Sequence, residues 1–589
     1  MANKPRKLRR SQAISTFGPG SIIDLKDESV MMLGLDYWPD KGDIIQEPNL
    51  QRALRVNHFK SPSTDGYKDL PVVIFPEWLV CPSCNRLARL ETFMGLFKDY
   101  NKISCLRCKK KVYPARLIVA CSHGHIDDFP WIEWLRHASN PCKCEKPDLI
   151  LYSSGFTATL ADLVVKCKND GCGKSRPLAG AMNPNNFLFM RCNGRRPWLL
   201  DRDDCDATVF PLQRGASNVY FSSQVSSISI PPWSGSLNKK LNKNWSIYKA
   251  MPESALMATV EGMGLHHELK MPLHDVVEAI LTRRREEQNE QSSISELDIR
   301  LQECRAIQKT DAVRDLNADF KTRNSPVHPE LQDWISRVVL VDRLREVRAL
   351  IGFSRVDSPD PDPTQRISSR LAPLSRARKD WYPAIEVFGE GIFIELNQEK
   401  INRWLHNNNL MKIRSADLNK KYLDICQQRD WVPSRIISPQ LLLAHSFSHA
   451  LIRQLAMESG YSSSSIRERL YVFPQNAGDT DFRCTGFLLY TSTPDSEGSL
   501  GGLVRQGYTD NFMNTVRSAI VESSWCSRDP LCMENYEYDP GSLNQAACHS
   551  CMLISETSCE EFNRFLDRAT LVGTIDDQYS GFFSDLIKE

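Results

Sequence analysis

The spacing of apolar residues changes along the chain. Residues 1–75 carry only short apolar runs, such as 70–75, which are typical of short strands in an N-terminal arm. From about residue 235, apolar residues recur three and four positions apart, and segments 260–285 and 294–320 predict long helices with charged outer faces. This pattern predicts a mainly helical region that extends to about residue 350.

Helical and strand spacings are mixed in the C-terminal part of the chain. Segments 384–388 and 391–396 predict two paired strands joined by a Gly-Glu-Gly turn. Helical spacing over 438–457 predicts a helix, and the apolar run 486–492 predicts a buried strand. The pattern therefore predicts a mixed α/β domain at the C-terminal end.

The composition is that of a soluble globular protein with several domains. The chain has 589 residues, too many for one hydrophobic core, and it is 41% hydrophobic and 25% charged. No apolar run approaches the length of about 18 residues that crosses a membrane, and the N-terminus lacks the apolar core of a secretory signal. We therefore expect a cytoplasmic protein. Its nineteen cysteines then favour metal ligation, because disulfides do not persist in a reducing compartment.

Fifteen cysteines and one histidine fall into four groups with the spacing of zinc ligands. The first group has the paired-knuckle pattern of a zinc ribbon. Each CxxC turn lets two thiolates point at one tetrahedral ion, and the residues between the turns bring the second pair opposite the first. The predicted ligands are Cys81, Cys84, Cys105 and Cys108.

The order of residues along the chain predicts how the next eight candidate ligands are grouped. The first is a Cys₃His site formed by Cys121, His125, Cys142 and Cys144. His123 is a competing imidazole for this site. A four-cysteine site is predicted next, from Cys167, Cys172, Cys192 and Cys205.

A fourth group lies near the C-terminal end and consists of Cys526, Cys532, Cys548 and Cys551. Cys559 is an alternative ligand there, and Ser558 with Glu561 predicts a capping box at the start of a helix. The other cysteines, Cys304, Cys426 and Cys484, are expected to be ordinary buried thiols. Because each group can supply four protein ligands, about four structural zinc ions are the expected cofactors.

The net charge does not favour nucleic-acid binding by the chain as a whole. The formal charge is +2, and fifteen bound thiolates with four Zn²⁺ ions would change it to about −5. A DNA-binding surface would therefore need a local concentration of basic residues. One candidate is the run 4–10. The other is the neighbourhood of Arg191, Arg195, Arg196 and Arg214, where four aspartates lie close in sequence.

The sequence lacks motifs for ATP hydrolysis and for metalloprotease chemistry. It contains no GxxxxGK[ST] loop. Residues 168–175 end in Gly-Lys-Ser as such a loop does, but Lys168 occupies the position of its first glycine. His445 and His449 lie one helical turn apart, but Ser446 replaces the glutamate of a zincin, which favours hydrogen-bonded structural histidines. The alternative is a metal-dependent nuclease or hydrolase that uses His445, His449, Asp495 and Glu497.

These features together predict an α+β, multidomain fold. It has a zinc-ribbon-rich N-terminal half, a central helical region and a C-terminal α/β domain with a zinc-binding cysteine cluster. The predicted segments are an N-terminal arm over 1–75, tandem zinc-binding modules over 76–215, a mainly helical region over 216–350 and a mixed domain over 351–589.

Ungapped phrases in both halves of the chain match those of known families. The first set comprises residues 10–20 (RSQAISTFGPG), 121–131 (CSHGHIDDFPW), 214–221 (RGASNVYF) and 343–347 with 352–353. On these residues the chain resembles DrmB, a component of the DISARM bacterial anti-phage system. The second set comprises 445–451, 489–492, 498–504 and 526–568, and is similar to the four-cysteine domain that closes MrfA-type helicases.

The resemblance implies a role that the spacing alone does not. DrmB proteins are thought to act on phage DNA together with DrmA, a superfamily 2 helicase-like protein that carries the ATPase motors. The resemblance thus implies a non-catalytic zinc-binding subunit of a defence complex, with a DrmA-like helicase and DNA as partners. It implies no catalytic residues. A pure protein scaffold without DNA contact is a further alternative.

Overall fold

The computed structural model confirms an α+β, multidomain fold. It describes residues 8–25, 28–63, 70–94, 103–155, 159–231, 237, 240–241, 243–269, 271–288, 294–310, 319–357, 371–428, 433, 435–473, 482–491, 501–534 and 543–587. Among these residues, no helix combines the length and apolar character that spanning a membrane requires.

The helices are numbered α1 to α17 in chain order. They are α1 Arg10–Ser15, α2 Pro48–Leu54, α3 Leu90–Met94, α4 Trp131–Arg136, α5 Trp245–Ala250, α6 Glu253–Gly262, α7 Leu265–Leu269, α8 Leu273–Gln288, α9 Glu296–Gln308, α10 Gln398–Asn407, α11 Asn409–Gln428, α12 Pro439–Ser459, α13 Gly502–Gln506, α14 Thr509–Ser523, α15 Leu531–Glu534, α16 Ala569–Val572 and α17 Ser584–Ile587.

The strands are numbered β1 to β22. They are β1 Ile22–Asp24, β2 Ser29–Met32, β3 Ile44–Ile45, β4 His58–Lys60, β5 Val72–Ile74, β6 Trp78–Val80, β7 Arg86–Arg89, β8 Tyr113–Pro114, β9 Leu117–Ala120, β10 Ile126–Asp128, β11 Leu149–Ser153, β12 Leu163–Cys167, β13 Ser175–Pro177, β14 Arg195–Arg196, β15 Asp201–Arg202, β16 Phe210–Gln213, β17 Phe221–Ile228, β18 Lys321–Ser325, β19 Ile335–Ser354, β20 Trp381–Leu396, β21 Ile466–Val472 and β22 Thr485–Thr491.

The chain divides into two compact units, each built from separate stretches of sequence. The first comprises residues 1–44, 59–225 and 349–385, and the second comprises residues 45–58, 226–348 and 386–589. The four segments expected from the sequence stay a prediction. Sequence continuity is a weak guide here, because strands from distant stretches complete each unit.

Short strands organise the first unit around a small aromatic core. A sheet with the order β13-β12-β11-β7-β6-β8 and a second with the order β10-β9-β16 carry the loops of this unit. Trp134 is fully buried and stacks on Phe187, with ring centroids 5.4 Å apart, and the Arg176 guanidinium lies 3.5 Å from the Trp134 ring centroid. The apolar cluster around Trp134 is much smaller than the main apolar core of the second unit. More of the loops in the first unit must therefore be held by other means.

Helix α12 forms the centre of the second unit. Ser438 caps its first turn by accepting a hydrogen bond from the Leu441 amide, Pro439 occupies the first turn, and Gly460 ends the helix with a φ of 72°. The helix is buried along most of its length and packs against β21, β22 and α14. The predicted helix over 438–457 is confirmed. The predicted strand over 486–492 is confirmed as far as residue 491, and residue 492 lies outside the described residues.

Two predictions of local structure are wrong. The expected hairpin over 384–396 is one continuous strand, β20, because Gly389 and Gly391 allow the carbonyls of Thr491 and Leu489 to approach where a side chain would clash. The expected helix after Ser558 is a series of turns, and Phe565 has a φ of 62° that a right-handed helix does not allow.

The long helices expected in the central region are shorter than predicted. Segment 260–285 contains α6, α7 and α8, which are separated at Gly264 and Pro272 because glycine takes a φ of 64° there and proline cannot extend a preceding helix. Segment 294–320 contains α9, and its residues 311–318 lie outside the described part of the chain.

Candidate metal centres

The structure gathers all sixteen predicted ligands into four groups of four. In each group the candidate donor atoms lie within 4.8 Å of one another. Three groups belong to the first unit and one to the second. These sixteen residues therefore form four separate centres rather than one large cluster.

The first group is built from two matching knuckles, and its members are Cys81, Cys84, Cys105 and Cys108. In one knuckle the Asn85 amide donates to the Cys81 carbonyl at 2.9 Å, and in the other the Lys109 amide donates to the Cys105 carbonyl at 2.7 Å. Asn85 and Lys109 have left-handed φ values of 58° and 56°. Both turns therefore curl in the same way and direct their two thiols towards a common point, as the ribbon pattern predicts.

The sulfur separations fit metal ligation and exclude disulfides. Zinc–sulfur bonds of about 2.3 Å at tetrahedral angles place two sulfurs about 3.8 Å apart, whereas a disulfide needs about 2.05 Å. Cys84 Sγ lies 3.8 Å from Cys105 Sγ, and Cys144 Sγ lies 3.9 Å from Cys167 Sγ. Four sulfur or nitrogen donors at this spacing match the geometry that zinc prefers.

The second group combines Cys121, His125, Cys192 and Cys205. Cys121 and His125 lie in the turn between β9 and β10, and Cys121 Sγ is 3.5 Å from His125 Nδ1. Cys192 and Cys205 flank the β14–β15 hairpin, and the Cys192 amide donates to the Ala207 carbonyl at 2.9 Å. Strand β16 then pairs with β9, which brings this hairpin next to the turn.

The third group combines Cys142, Cys144, Cys167 and Cys172. Strand β11 pairs with β12 so that Leu149 lies opposite Cys167, which places the segment just before β11 beside the end of β12. The Cys142 and Cys172 sulfurs are 3.5 Å apart. The group is thus closed by the β11–β12 pairing and by the turn that follows β12.

The structure corrects two of the predicted groupings. The pair Cys142 and Cys144 was expected to join Cys121 but lies with Cys167. The pair Cys192 and Cys205 completes the Cys121 group instead. The reason is topological: the third group lies inside the chain segment that closes the second, and strand pairing rather than chain order decides which thiols meet.

Paired substitutions test this nested arrangement. We expect Cys121→Ser and Cys192→Ser to remove one zinc ion each, and the double variant to remove no further ion, because both residues serve one site. Combining Cys121→Ser with Cys142→Ser should remove two ions. The measurement is zinc per chain, by elemental analysis, in the fraction of each variant that stays soluble. The opposite pattern, in which the second pair removes one ion and the first removes two, would restore the chain-order grouping.

His123 lies at the edge of the second group. Its Nδ1 is 3.3 Å from Cys205 Sγ, and the side chain is exposed, whereas His125 is buried. The buried histidine is therefore the better placed ligand, and His123 stays a neighbour that contacts one of the thiols.

The fourth group lies in the second unit and contains Cys526, Cys532, Cys548 and Cys551. Three of its sulfur pairs are 3.5 to 3.7 Å apart. The Asp529 carboxylate accepts a hydrogen bond from the Cys526 amide at 2.7 Å, and Arg568 donates to the same carboxylate at 2.7 Å. Cys559 does not belong to this group, so Cys551 takes the position that the sequence left open between them.

One cysteine in each group has a lowered pKa. A hydrogen bond from a neighbouring thiol lowers the pKa of Cys121 to about 4 and that of Cys551 to about 5. The Lys174 amide lowers the pKa of Cys172 to about 7. At Cys105 burial opposes the shift, but two knuckle amides outweigh it and its pKa is about 7. Because thiolate is the form that binds metal, each group holds a cysteine that is easily converted to a ligand.

The second candidate basic patch is largely neutralised within the fold. Three of its four arginines contact carboxylates: Arg195 contacts Glu77, Asp127 and Asp128; Arg196 contacts Asp201 and Asp203; and Arg214 contacts Asp24. In the other candidate, residues 4–7 lie outside the described part of the chain, and Arg10 contacts Asp43 at 3.1 Å. These four paired arginines therefore serve mainly to join loops of the fold.

The candidate nuclease residues do not form an accessible site. His445 and His449 lie inside α12 and have no exposed surface. Asp495 and Glu497 lie outside the described residues. A phosphodiester in solution could not reach either imidazole in this conformation.

Comparison with known proteins identifies the family. Residues 9–221 match a domain of unknown function (DUF8724), and residues 447–552 match the MrfA Zn-binding domain. Across its length the chain is 35% identical to a DISARM protein DrmB from Bacillus paralicheniformis, over 96% of this chain and 100% of that protein. The chain belongs to the DrmB family. The predicted resemblance to DrmB and to the MrfA domain is therefore confirmed.

The two family matches together span all four centres. All four cysteines of the fourth group fall within the span that matches the MrfA Zn-binding domain. The first three groups, between residues 81 and 205, fall within the span that matches the domain of unknown function. This member of the DrmB family thus contains a zinc-binding domain, and its other three groups consist of four cysteines or of three cysteines and a histidine.

Proposed function

We propose that this protein is a non-catalytic, zinc-stabilised subunit of a DISARM-type anti-phage complex. In this role it works in the cytoplasm with a DrmA-like superfamily 2 helicase that binds and processes foreign DNA. The observation that carries the proposal is the match to a DISARM protein DrmB over that protein's full length. The helicase would supply the ATPase motor.

The metal centres support a structural role for about four zinc ions. Structural zinc has four protein ligands and no position for water or substrate, whereas catalytic zinc keeps one position open. Each group supplies four donors, so all four positions of a tetrahedral zinc ion would be filled by the protein. No position would stay open for a reactant. Zinc at these sites would hold loop geometry and would not carry out hydrolysis.

A protein scaffold without DNA contact is the second candidate. The ion pairs of Arg195, Arg196 and Arg214 favour it, because guanidinium groups already paired with carboxylates contribute less to phosphate binding. DNA contact in the complex would then come from the helicase alone. The two candidates differ in what the chain adds to DNA affinity and to its dependence on salt.

Binding measurements across a salt series separate the two. We expect the chain together with its helicase partner to bind DNA more tightly than the partner alone, and with a steeper loss of affinity as salt rises. Each added phosphate contact contributes about −0.9 to the slope of log affinity against log salt for duplex DNA. The partner alone is the matched control. Equal affinities and slopes with and without this chain would favour the scaffold and contradict the DNA-binding role.

A further inference from the structure

A fifth group of donor side chains lies in the core of the second unit. It consists of His445, His449, Glu468 and Cys559, whose candidate donor atoms lie within 4.8 Å of one another. The two histidines come from adjacent turns of α12, the carboxylate from β21, and the thiol from the turns after the fourth cysteine group. All four side chains are buried, and the MrfA Zn-binding match ends at residue 552, before Cys559.

The distances resemble the edges of a tetrahedron. His445 Nε2 lies 3.0 Å from Glu468 Oε1 and 3.2 Å from Cys559 Sγ, and His449 Nε2 lies 3.5 Å from Glu468 Oε1. Zinc bonds of about 2.0 Å to nitrogen and oxygen and about 2.3 Å to sulfur require donor separations of about 3.3 to 3.5 Å. Shifts of a few tenths of an ångström would fit an ion between these atoms.

Both imidazoles are held with Nε2 towards the centre of the group. His445 Nδ1 lies 3.3 Å from the Phe565 carbonyl, and His449 Nδ1 lies 2.9 Å from the Met552 carbonyl. A carbonyl only accepts hydrogen bonds, so it places a proton on Nδ1, and in the neutral imidazole the Nε2 lone pair then faces inward. This outer contact is typical of histidines that bind metals.

The environment of His449 Nε2 also favours a cation in this group. Within the described residues this atom is buried and has no hydrogen-bond partner. A neutral imidazole with its proton on Nδ1 presents a lone pair there, and an oxygen of Glu468, which is also an acceptor, lies 3.5 Å away. Two acceptors that face each other in a dry core are unfavourable, and a cation between them satisfies both.

The other two donors are also positioned by hydrogen bonds. Glu468 accepts from the Ser448 hydroxyl through Oε2 and from the Glu560 amide at 3.1 Å through Oε1. Cys559 Sγ accepts from the Asn563 amide at 3.1 Å. A carboxylate and a thiolate together balance the charge of one divalent cation, so the loaded group is electrically neutral and suits a buried position.

We propose that His445, His449, Glu468 and Cys559 form a fifth, closed zinc site that is separate from the four predicted groups. Two nitrogens, one oxygen and one sulfur are all ligands that zinc accepts, and the thiolate occupies the position that an iron site of two histidines and a carboxylate would leave open. The ion joins α12, β21 and the turns around Cys559. The site is structural because no position faces solvent.

Metal counting on the full-length protein tests the site. We expect five zinc ions per wild-type chain and four in Cys559→Ser, while the matched control Cys426→Ser, another buried cysteine, keeps five. If Cys559→Ser is insoluble, Glu468→Gln replaces it, with the same expected loss of one ion. When cobalt replaces zinc in the wild-type chain, the absorption spectrum should include the contribution of a site with a single thiolate ligand.

The outcomes distinguish this site from the other four. A wild-type count of four that stays at four in Cys559→Ser or Glu468→Gln would overturn the fifth site and leave the four cysteine groups intact. A count near one that either variant reduces to zero would support the fifth site and contradict the cysteine groups. Iron in place of zinc, lost in the same variants, would overturn the assignment of zinc.

Discussion

Replacing Cys105 by serine should leave the protein insoluble or unable to bind its partner. The substitution removes one of four donors from the first zinc site, and each structural zinc contributes on the order of 10–16 kcal/mol of apparent binding free energy. A typical domain has a stability of only about 5–15 kcal/mol, so the loss of one site is enough to unfold its surroundings. Soluble yield, zinc content and co-purification with the helicase partner measure the effect.

The matched control is Cys304→Ser. Cys304 and Cys105 are both fully buried, but Cys304 belongs to none of the described metal groups. A serine hydroxyl in a buried position costs about 1–3 kcal/mol when it lacks a partner, which a protein of this size should tolerate. A Cys105→Ser protein as soluble and partner-competent as Cys304→Ser would show that the first site does not hold the fold.

Removal of zinc by a chelator should unfold the N-terminal region that carries the first three centres. The aromatic core of this region is small. Its loops contain tight turns that carry the metal donors, so the metal holds them in place. Hydrogen exchange should increase most between residues 81 and 205, and return of zinc should restore protection. The second unit has a much larger apolar core around α12, so most of it should keep its protection.

A chelator already saturated with zinc provides the control for the same experiment. It leaves the protein metal in place and should leave exchange unchanged. Exchange that stays low after complete removal of zinc would contradict a structural role for the metal. Loss of a hydrolytic activity with no change in exchange would instead point to a catalytic metal.

Short-range patterns were predicted well from the sequence. The CxxC knuckles of the first site depend on turns of four or five residues, and such turns bring their own thiols together whatever surrounds them. The fourth site likewise depends on two local turns. Helix α12 has its cap, its proline and its terminal glycine in the sequence, so both ends were predictable.

Long-range pairing was not predictable in the same way. The second and third sites are nested, and only the β9–β16 and β11–β12 pairings show which cysteines meet. Spacing along the chain carries no information about such pairings. The continuous strand β20 was missed because Gly-Glu-Gly suggests a turn, whereas here Gly389 and Gly391 allow the neighbouring backbone to approach closely.

The fifth site was missed for a related reason. His445 and His449 suggested a site, but Glu468 and Cys559 come from distant segments, and no short motif joins them. Ser446 replaces the glutamate of a zincin, and this favoured the interpretation that both histidines are structural and hydrogen-bonded. A spacing of four between two histidines inside an apolar helix is the one signal in the sequence that could have indicated this site.

Native mass spectrometry of the purified full-length chain tests the central claim most directly. The account predicts a folded protein that carries at least four zinc ions, held by the sixteen residues of the four cysteine-rich groups, with a fifth ion in the α12 site. A folded chain whose native mass equals that of the polypeptide alone would contradict the account.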